Sequence, residues 1–380
     1  MGHHCMSEYG YQQIHKVQRK SNFEMLRIIA MIMILFFHFA RHGGFQYENT
    51  DLSFPRFWHN FIMMDGKTGN NIFILISGYF LITNKSCTVN WERVLKLWGQ
   101  VFFYSIMIHL ISFVLESNGF NVVALIKAIV LGTFPITFNT WWFASTYFVL
   151  YILHPYLNAF IYSLEKNTFQ KYLLITLFFW CIVPTVTGLS YQSNNLLWFI
   201  TLYCVAAYVR LYGDSFCANK KIYLWGWLIS TLVRYLLSCT LTVLGTNFLF
   251  AANNIRHFNS QQSVFTFLSA FFLFMFFEKL EIGYCKWINK IASATFGVYL
   301  LHDSAYIRSL LWEEIFTNTA IQNSGFIIVY SFVVVSLIFA VCTFLELLRQ
   351  ATFGKIFSTA MYCCMEAWKE GKEYRYAKNI

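Results

Sequence analysis

Hydrophobic residues in this chain run in long unbroken stretches instead of alternating with polar ones. Such stretches lie at roughly 23–41, 57–83, 93–115, 141–163, 170–190, 195–213, 222–245, 262–280, 289–311 and 325–348. Each is long enough to cross the hydrocarbon layer of a bilayer as a helix, which takes about 20 apolar residues. The pattern predicts an all-α, polytopic membrane bundle of about ten transmembrane helices. A shorter apolar run, 121–136, bounded by Asn121 and Pro135, predicts an interfacial or re-entrant helix. No internal repeat or soluble domain interrupts the series. The expected organisation is a basic tail at 1–22, a membrane domain at 23–349 and a second basic tail at 350–380, with the tails lying against anionic lipid headgroups.

Composition strengthens this picture. Residues are 57% hydrophobic and only 12% charged, against about 25% charged in soluble domains, so lipid must be the solvent for most of the chain. Aromatics make up 20%, suiting lipid-facing surfaces and interfacial anchors. Only four prolines occur, Pro55, Pro135, Pro155 and Pro184, which predicts few interruptions in the long helices.

The net charge of +10 would suggest nucleic acid in a soluble protein. Its distribution gives another meaning. With the N-terminus inside, twenty of the 28 Lys and Arg residues fall in cytoplasmic segments, including Lys85, Lys166, Lys220, Lys290 and Arg349. Five fall outside, Arg41, Arg56, Lys127, Arg256 and Arg308, and Arg27, Lys67 and Arg234 lie within spans. That bias is the positive-inside signal; it puts both termini in the cytoplasm and removes the need for a nucleic-acid partner. The basic Lys16, Arg19 and Lys20 precede an apolar run with no small-residue cleavage site, so no cleaved signal is expected. Ten scattered cysteines form no CxxC pair; neither a disulfide framework nor a zinc site follows. Cys363 and Cys364 read as small residues of a tail helix.

Ionisable groups within spans are costly and usually face the bundle interior. The first span holds Glu24, Arg27 and His38. Glu24 and Arg27 are i,i+3 neighbours suited to a local ion pair. From Arg27 to His38 is an advance of about 20° beyond three full turns and roughly 16 Å along the axis. The two share a stripe without touching, one near each side of the membrane. His42 lies one turn beyond His38, but no local carboxylate or HExxH pattern accompanies the pair, so no metal is expected. Gly66-Lys67-Thr68 resembles the end of a phosphate-binding loop, yet Phe61 stands where its first glycine belongs, and that reading fails. Ser77, Gly78 and Tyr79 put small residues mid-span, consistent with close helix packing or with lining a site. Arg93 and Lys96, at the cytoplasmic start of the third span, suit positive-inside anchoring or capture of phosphates.

Taken in order, these residues resemble the acyltransferase-3 family of membrane O-acyltransferases over about residues 22–348. The most specific part is Asn22 to Ala30 followed by His38, an Arg, ten residues, then a His. Asn71 to Leu81, Arg93 and Lys96 with Tyr104, Trp141-Trp142-Phe143 and Phe296 to His302 complete the resemblance. It implies transfer of an acyl group, usually acetyl from acetyl-CoA, to a hydroxyl of a glycan or lipid-linked sugar at or beyond the outer face of the plasma membrane, with no bound cofactor. His38 would be the catalytic histidine, with Arg27, Arg93 and Lys96 holding the donor. Glu24, Ser77, Tyr79, Trp142 and His302 would line the site. An imidazole suits removal of a hydroxyl proton near neutral pH, and it could equally carry the acyl group covalently. The competing expectation is a transporter or flippase of a lipid-linked sugar, with Arg27, Lys67 and Arg234 along its path; the matched broken helices of such proteins are not evident in the sequence.

Overall fold

The computed structural model describes residues 20–116, 121–190, 192–357 and 359; most of the two basic tails, with Cys363 and Cys364, lies outside them. In chain order the helices are α1 (Ser21–His42), α2 (Phe54–Met64), α3 (Gly66–Leu81), α4 (Trp91–Glu116), α5 (Val122–Thr133) and α6 (Trp142–Ser163). There follow α7 (Lys166–Leu177) and α8 (Val183–Thr187), joined by a π-helical turn, then α9 (Asn195–Tyr212), α10 (Lys220–Leu244) and α11 (Leu249–Asn253). The last are α12 (Val264–Glu278), α13 (Lys286–Ala292), α14 (Thr295–His302), α15 (Ala305–Ser309) and α16 (Ile327–Ala351). No strand occurs among the described residues.

The burial pattern is that of a protein whose solvent is lipid. On α10, Ser230, Arg234, Ser238 and Thr242 recur every four residues and are buried, while Ile222, Trp225, Ile229, Leu232 and Leu236 are exposed. On α16 the exposed face is Val329, Phe332, Val333, Leu337 and Phe344, and Glu346 is buried. A water-soluble helix would reverse both patterns.

Among the described residues, seven stretches of helix are long and apolar enough to cross a membrane, against the ten expected. The difference has physical causes. The stretch 57–83 is divided at Asp65, which caps α3 and ends α2. The stretch 289–311 is divided between α13 and α14 at Ser293 and Ala294 and again after His302. No proline marks either break; side chains from elsewhere in the chain hold both, with Gln350 donating to Ser293 O at 3.1 Å. Asp65 Oδ1 is ion-paired with the fully buried Arg234, which also donates to Thr68 at 2.9 Å and Thr266 at 3.2 Å. The remaining stretch, 141–163, is one helix, α6, but Ser145, His154, Asn158 and several tyrosines lower its hydropathy.

Helix α3 is the wedge of the bundle. A Cβ on Gly69 would stand 2.5 Å from the Ala30 carbonyl of α1, and one on Gly78 would stand 2.9 Å from the Tyr203 carbonyl of α9. Gly78 therefore serves the close packing that the sequence suggested. Helix α5 doubles back along α4: Ser105 Oγ donates to Leu131 O at 3.5 Å, and a Cβ on Gly132 would reach Ile106 Cα at 3.0 Å. Ser105 and Ile106 lie near the middle of α4, so α5 ends halfway along it. The irregular segment 134–141 follows before α6 begins.

Candidate active site

Two helix ends and one helix start meet around His38. His38 belongs to the last turns of α1 and is 8% exposed; His302, the last residue of α14, is fully buried. Their positions are set by packing. Gly297 lets α14 close onto α16, where a Cβ would stand 2.5 Å from the Glu346 carboxylate. That carboxylate accepts from Tyr104 at 2.6 Å, Gln350 at 2.7 Å, Arg349 at 2.8 Å and Gln100 at 3.2 Å. Glu346 therefore ties α14 and α16 to α4.

The hydrogen bonds at the histidines determine which nitrogens carry protons. His302 Nδ1 lies 2.6 Å from the Val298 carbonyl, and a carbonyl only accepts, so Nδ1 holds the proton. In the neutral ring His302 Nε2 is then an acceptor. His38 Nδ1 lies 2.8 Å from that atom and must donate to it. The chain of donors ends with an unprotonated Nε2 on His38, the form required of a base. Asp303 Oδ1 stands 3.7 Å from His38 Nδ1 and 3.8 Å from Arg308 Nε, where it favours the imidazolium formed when Nε2 takes a proton.

Around this pair stand His42, whose ring lies 5.4 Å from that of His38, and Tyr299, 6.3 Å from His302. Lys67, in the first turn of α3, places its ammonium 4.6 Å from the Trp142 ring and 6.0 Å from that of Phe37. It is within electrostatic reach of both His38 and Asp303. Ligand atoms of His38, His42 and Asp303 lie within 4.8 Å of one another, a spacing compatible with a metal. The carboxylate missing from the local sequence thus comes from a residue 265 positions further on.

The other expected site residues separate into groups. Arg27 is ion-paired at 2.5 Å with Glu24, the local pair foreseen from their spacing. Ser77 donates to Phe73 O at 2.8 Å, and its oxygen lies 3.3 Å from the Tyr147 hydroxyl, joining α3 to α6. Tyr79 lies apart from the histidines: Arg210 donates to its hydroxyl at 3.1 Å, and it donates to Glu278 at 3.3 Å. Arg93 and Lys96 diverge. Arg93 faces Tyr151 of α6. Lys96 is paired with Glu92 at 2.5 Å and lines a cavity of about 1020 Å³ shared with Phe103, Arg349 and Lys355. Asp303 and Lys67 were missed as site residues. A carboxylate directly after His302 at the end of an apolar run was the available signal for the first, and a lysine within a span for the second.

No curated protein and no solved structure matches the chain. The acyltransferase domain of the acyltransferase-3 family does match, over residues 20–345, a stretch that contains α1 through most of α16 with His38, His302 and Asp303. The chain belongs to the acyltransferase-3 family of membrane acyltransferases.

Proposed function

We propose that this protein transfers an acyl group, acetyl in the first instance, from cytoplasmic acyl-CoA to a hydroxyl of a glycan or lipid-linked sugar at the outer face of the plasma membrane. The observation that carries the proposal is the relay from His38 through His302 to the Val298 carbonyl, which leaves His38 Nε2 free to accept a proton. In transfer, Nε2 takes the proton of the acceptor hydroxyl as its oxygen attacks the thioester carbonyl. The carbon–sulfur bond breaks, and the proton passes to the departing thiolate of coenzyme A. Lys67 faces the negative charge that develops on the carbonyl oxygen.

The donor reading rests on the large cavity at the Lys96 end of α4, where Lys96, Arg349 and Lys355 offer cations to phosphates and Phe102, Phe103, Phe353 and Phe357 offer apolar walls. Arg27 remains a donor contact in this reading, approached from the same side. Ten crossings are retained by counting the two broken stretches and α6, with both termini cytoplasmic. The transporter alternative loses support because Arg234, one of its three path residues, is fully buried in an ion pair with Asp65.

The test is His38→Ala. Removing a general base typically costs about a hundred- to ten-thousand-fold, so base-labile acyl esters on surface glycan should fall to background with the protein present at normal membrane levels. A well-expressed variant with normal acylation would return the transporter alternative to first place.

A further inference from the structure

Helix α5 turns back along α4 and stops halfway, as a re-entrant helix would. It delivers the irregular segment 134–141, in which Asn139 adopts a φ of 53°, to the depth of mid-α4. The segment satisfies part of its own backbone, with Phe138 N–H donating to Phe134 O and Thr140 N–H to Pro135 O, each at 3.0 Å, and such irregular backbone is tolerated at membrane depth only where protein buries it or where it lines a water-filled cavity. Beside it, toward the C-terminal end of α4, is a cavity of about 380 Å³, walled by His109 and Ser112 of α4, Thr140 and Trp141 of the segment, and Ser304 and Tyr306 at the start of α15. Two of its walls neighbour the candidate active site along the chain. Ser304 follows Asp303, and Trp141 precedes Trp142, whose ring carries Lys67.

The walls have a definite chemistry. Trp141 is 2% exposed, and its Nε1–H is buried without a hydrogen-bond partner among the described residues. An unmet buried donor is a standing cost that a ligand oxygen would relieve. His109 Nδ1 donates to Ser105 O at 2.8 Å, leaving its Nε2 as an acceptor. Two aromatic rings, several hydroxyls and this imidazole suit a ligand with apolar C–H faces and many hydroxyls. The walls contain no Lys or Arg and include Glu314, so the ligand is not an anion. The volume is at the small end for ligand sites, which run from about 300 to 1,000 Å³, and suits one or two rings, not a coenzyme.

We propose that this cavity is the acceptor subsite, binding an uncharged sugar ring of the glycan and presenting its hydroxyl toward His38, with Trp141 Nε1–H donating to a ring or hydroxyl oxygen. The proposal rests on the acyltransferase function above and adds the acceptor's place and charge class.

The experiment uses Thr140→Cys in the full chain, treated in intact cells with a membrane-impermeant sulfonatoethyl methanethiosulfonate, with the untreated variant and treated wild type as controls. The expected result is that position 140 is labelled from outside and that acyl ester on surface glycan then falls by tenfold or more, while purified labelled protein binds acetyl-CoA as wild type does. Trp141→Phe, which keeps the ring and removes only the donor, should lower glycan acylation roughly three- to tenfold. Full labelling with normal acylation would overturn the subsite, as would failure to label position 140 from outside. Failure of the underlying function gives a different result, namely normal acylation in His38→Ala.

Discussion

The orienting role of His302 is open to a direct test. His302→Phe keeps a ring of similar size at the end of α14 but removes the Nε2 that accepts from His38 at 2.8 Å. Two effects follow. A buried donor left without a partner costs about 1–3 kcal/mol. The His38 ring relieves that cost by turning, or by moving its proton to Nε2, and either change withdraws the lone pair from the acceptor hydroxyl. At about 1.36 kcal/mol per tenfold, the loss is roughly 5- to 150-fold, smaller than the loss expected from removing His38 itself. His302→Gln restores an oxygen that can accept from His38 Nδ1 and should recover part of the deficit. A residue that only filled space would be better replaced by Phe than by Gln, so the order of the two variants separates orientation from packing. The assay is the initial rate of glycan acylation in membranes, normalised to the amount of folded protein. Wild-type rates for His302→Phe, or equal rates for Phe and Gln at position 302, would refute the relay.

Three further outcomes are expected. Arg234→Leu leaves Asp65 unpaired within the bundle and should cost about 3–5 kcal/mol, seen as a lower melting temperature in detergent; adding Asp65→Leu should recover much of it, and an unchanged melt in the single variant would remove the pair's structural role. Replacing Lys96 and Arg349 together with Gln should raise the Michaelis constant for acetyl-CoA several-fold, whereas Arg93→Gln should raise it less because Arg93 faces Tyr151; the reverse order would place the donor on the α6 side. Transfer should persist after dialysis against a chelator, since His38 Nδ1 is engaged by His302 and Nε2 is needed as a base; activity lost to chelation and restored by zinc would assign His38, His42 and Asp303 to a metal instead.

Much of this arrangement was legible in the sequence because it is local. Continuous apolar runs gave α1, α4, α9, α10 and α16, and the short run at 121–136 gave α5. Glu24 and Arg27 were paired from spacing alone, and His38 and His302 were each singled out. The rest depends on partners far apart in the chain. The break at Asp65 is stabilised by Arg234, 169 residues away, and His38 meets His302 across 264 residues. Periodicity carries no information on such pairings. It registered 57–83 and 289–311 as single apolar stretches, because a break satisfied by a distant side chain requires neither glycine clusters nor proline. Asp303 was overlooked for a related reason: its value lies in the space it shares with His42 and Arg308, not in its neighbours along the chain.

The distance between Asp65 and Arg234 also sets a schedule for biogenesis. At about 5–20 residues per second, the ribosome needs roughly 8 to 34 seconds to make the 169 residues that separate them. Throughout that interval α2 and α3 are complete, yet the carboxylate between them has no guanidinium. In that time its local partner is Thr68, whose hydroxyl donates to Asp65 Oδ1 at 3.2 Å, and a charge held in lipid without its counter-ion is costly. Stable burial of the α2–α3 break is in this way tied to synthesis of α10, and a chain cut short before Arg234 lacks the one guanidinium that pairs with Asp65.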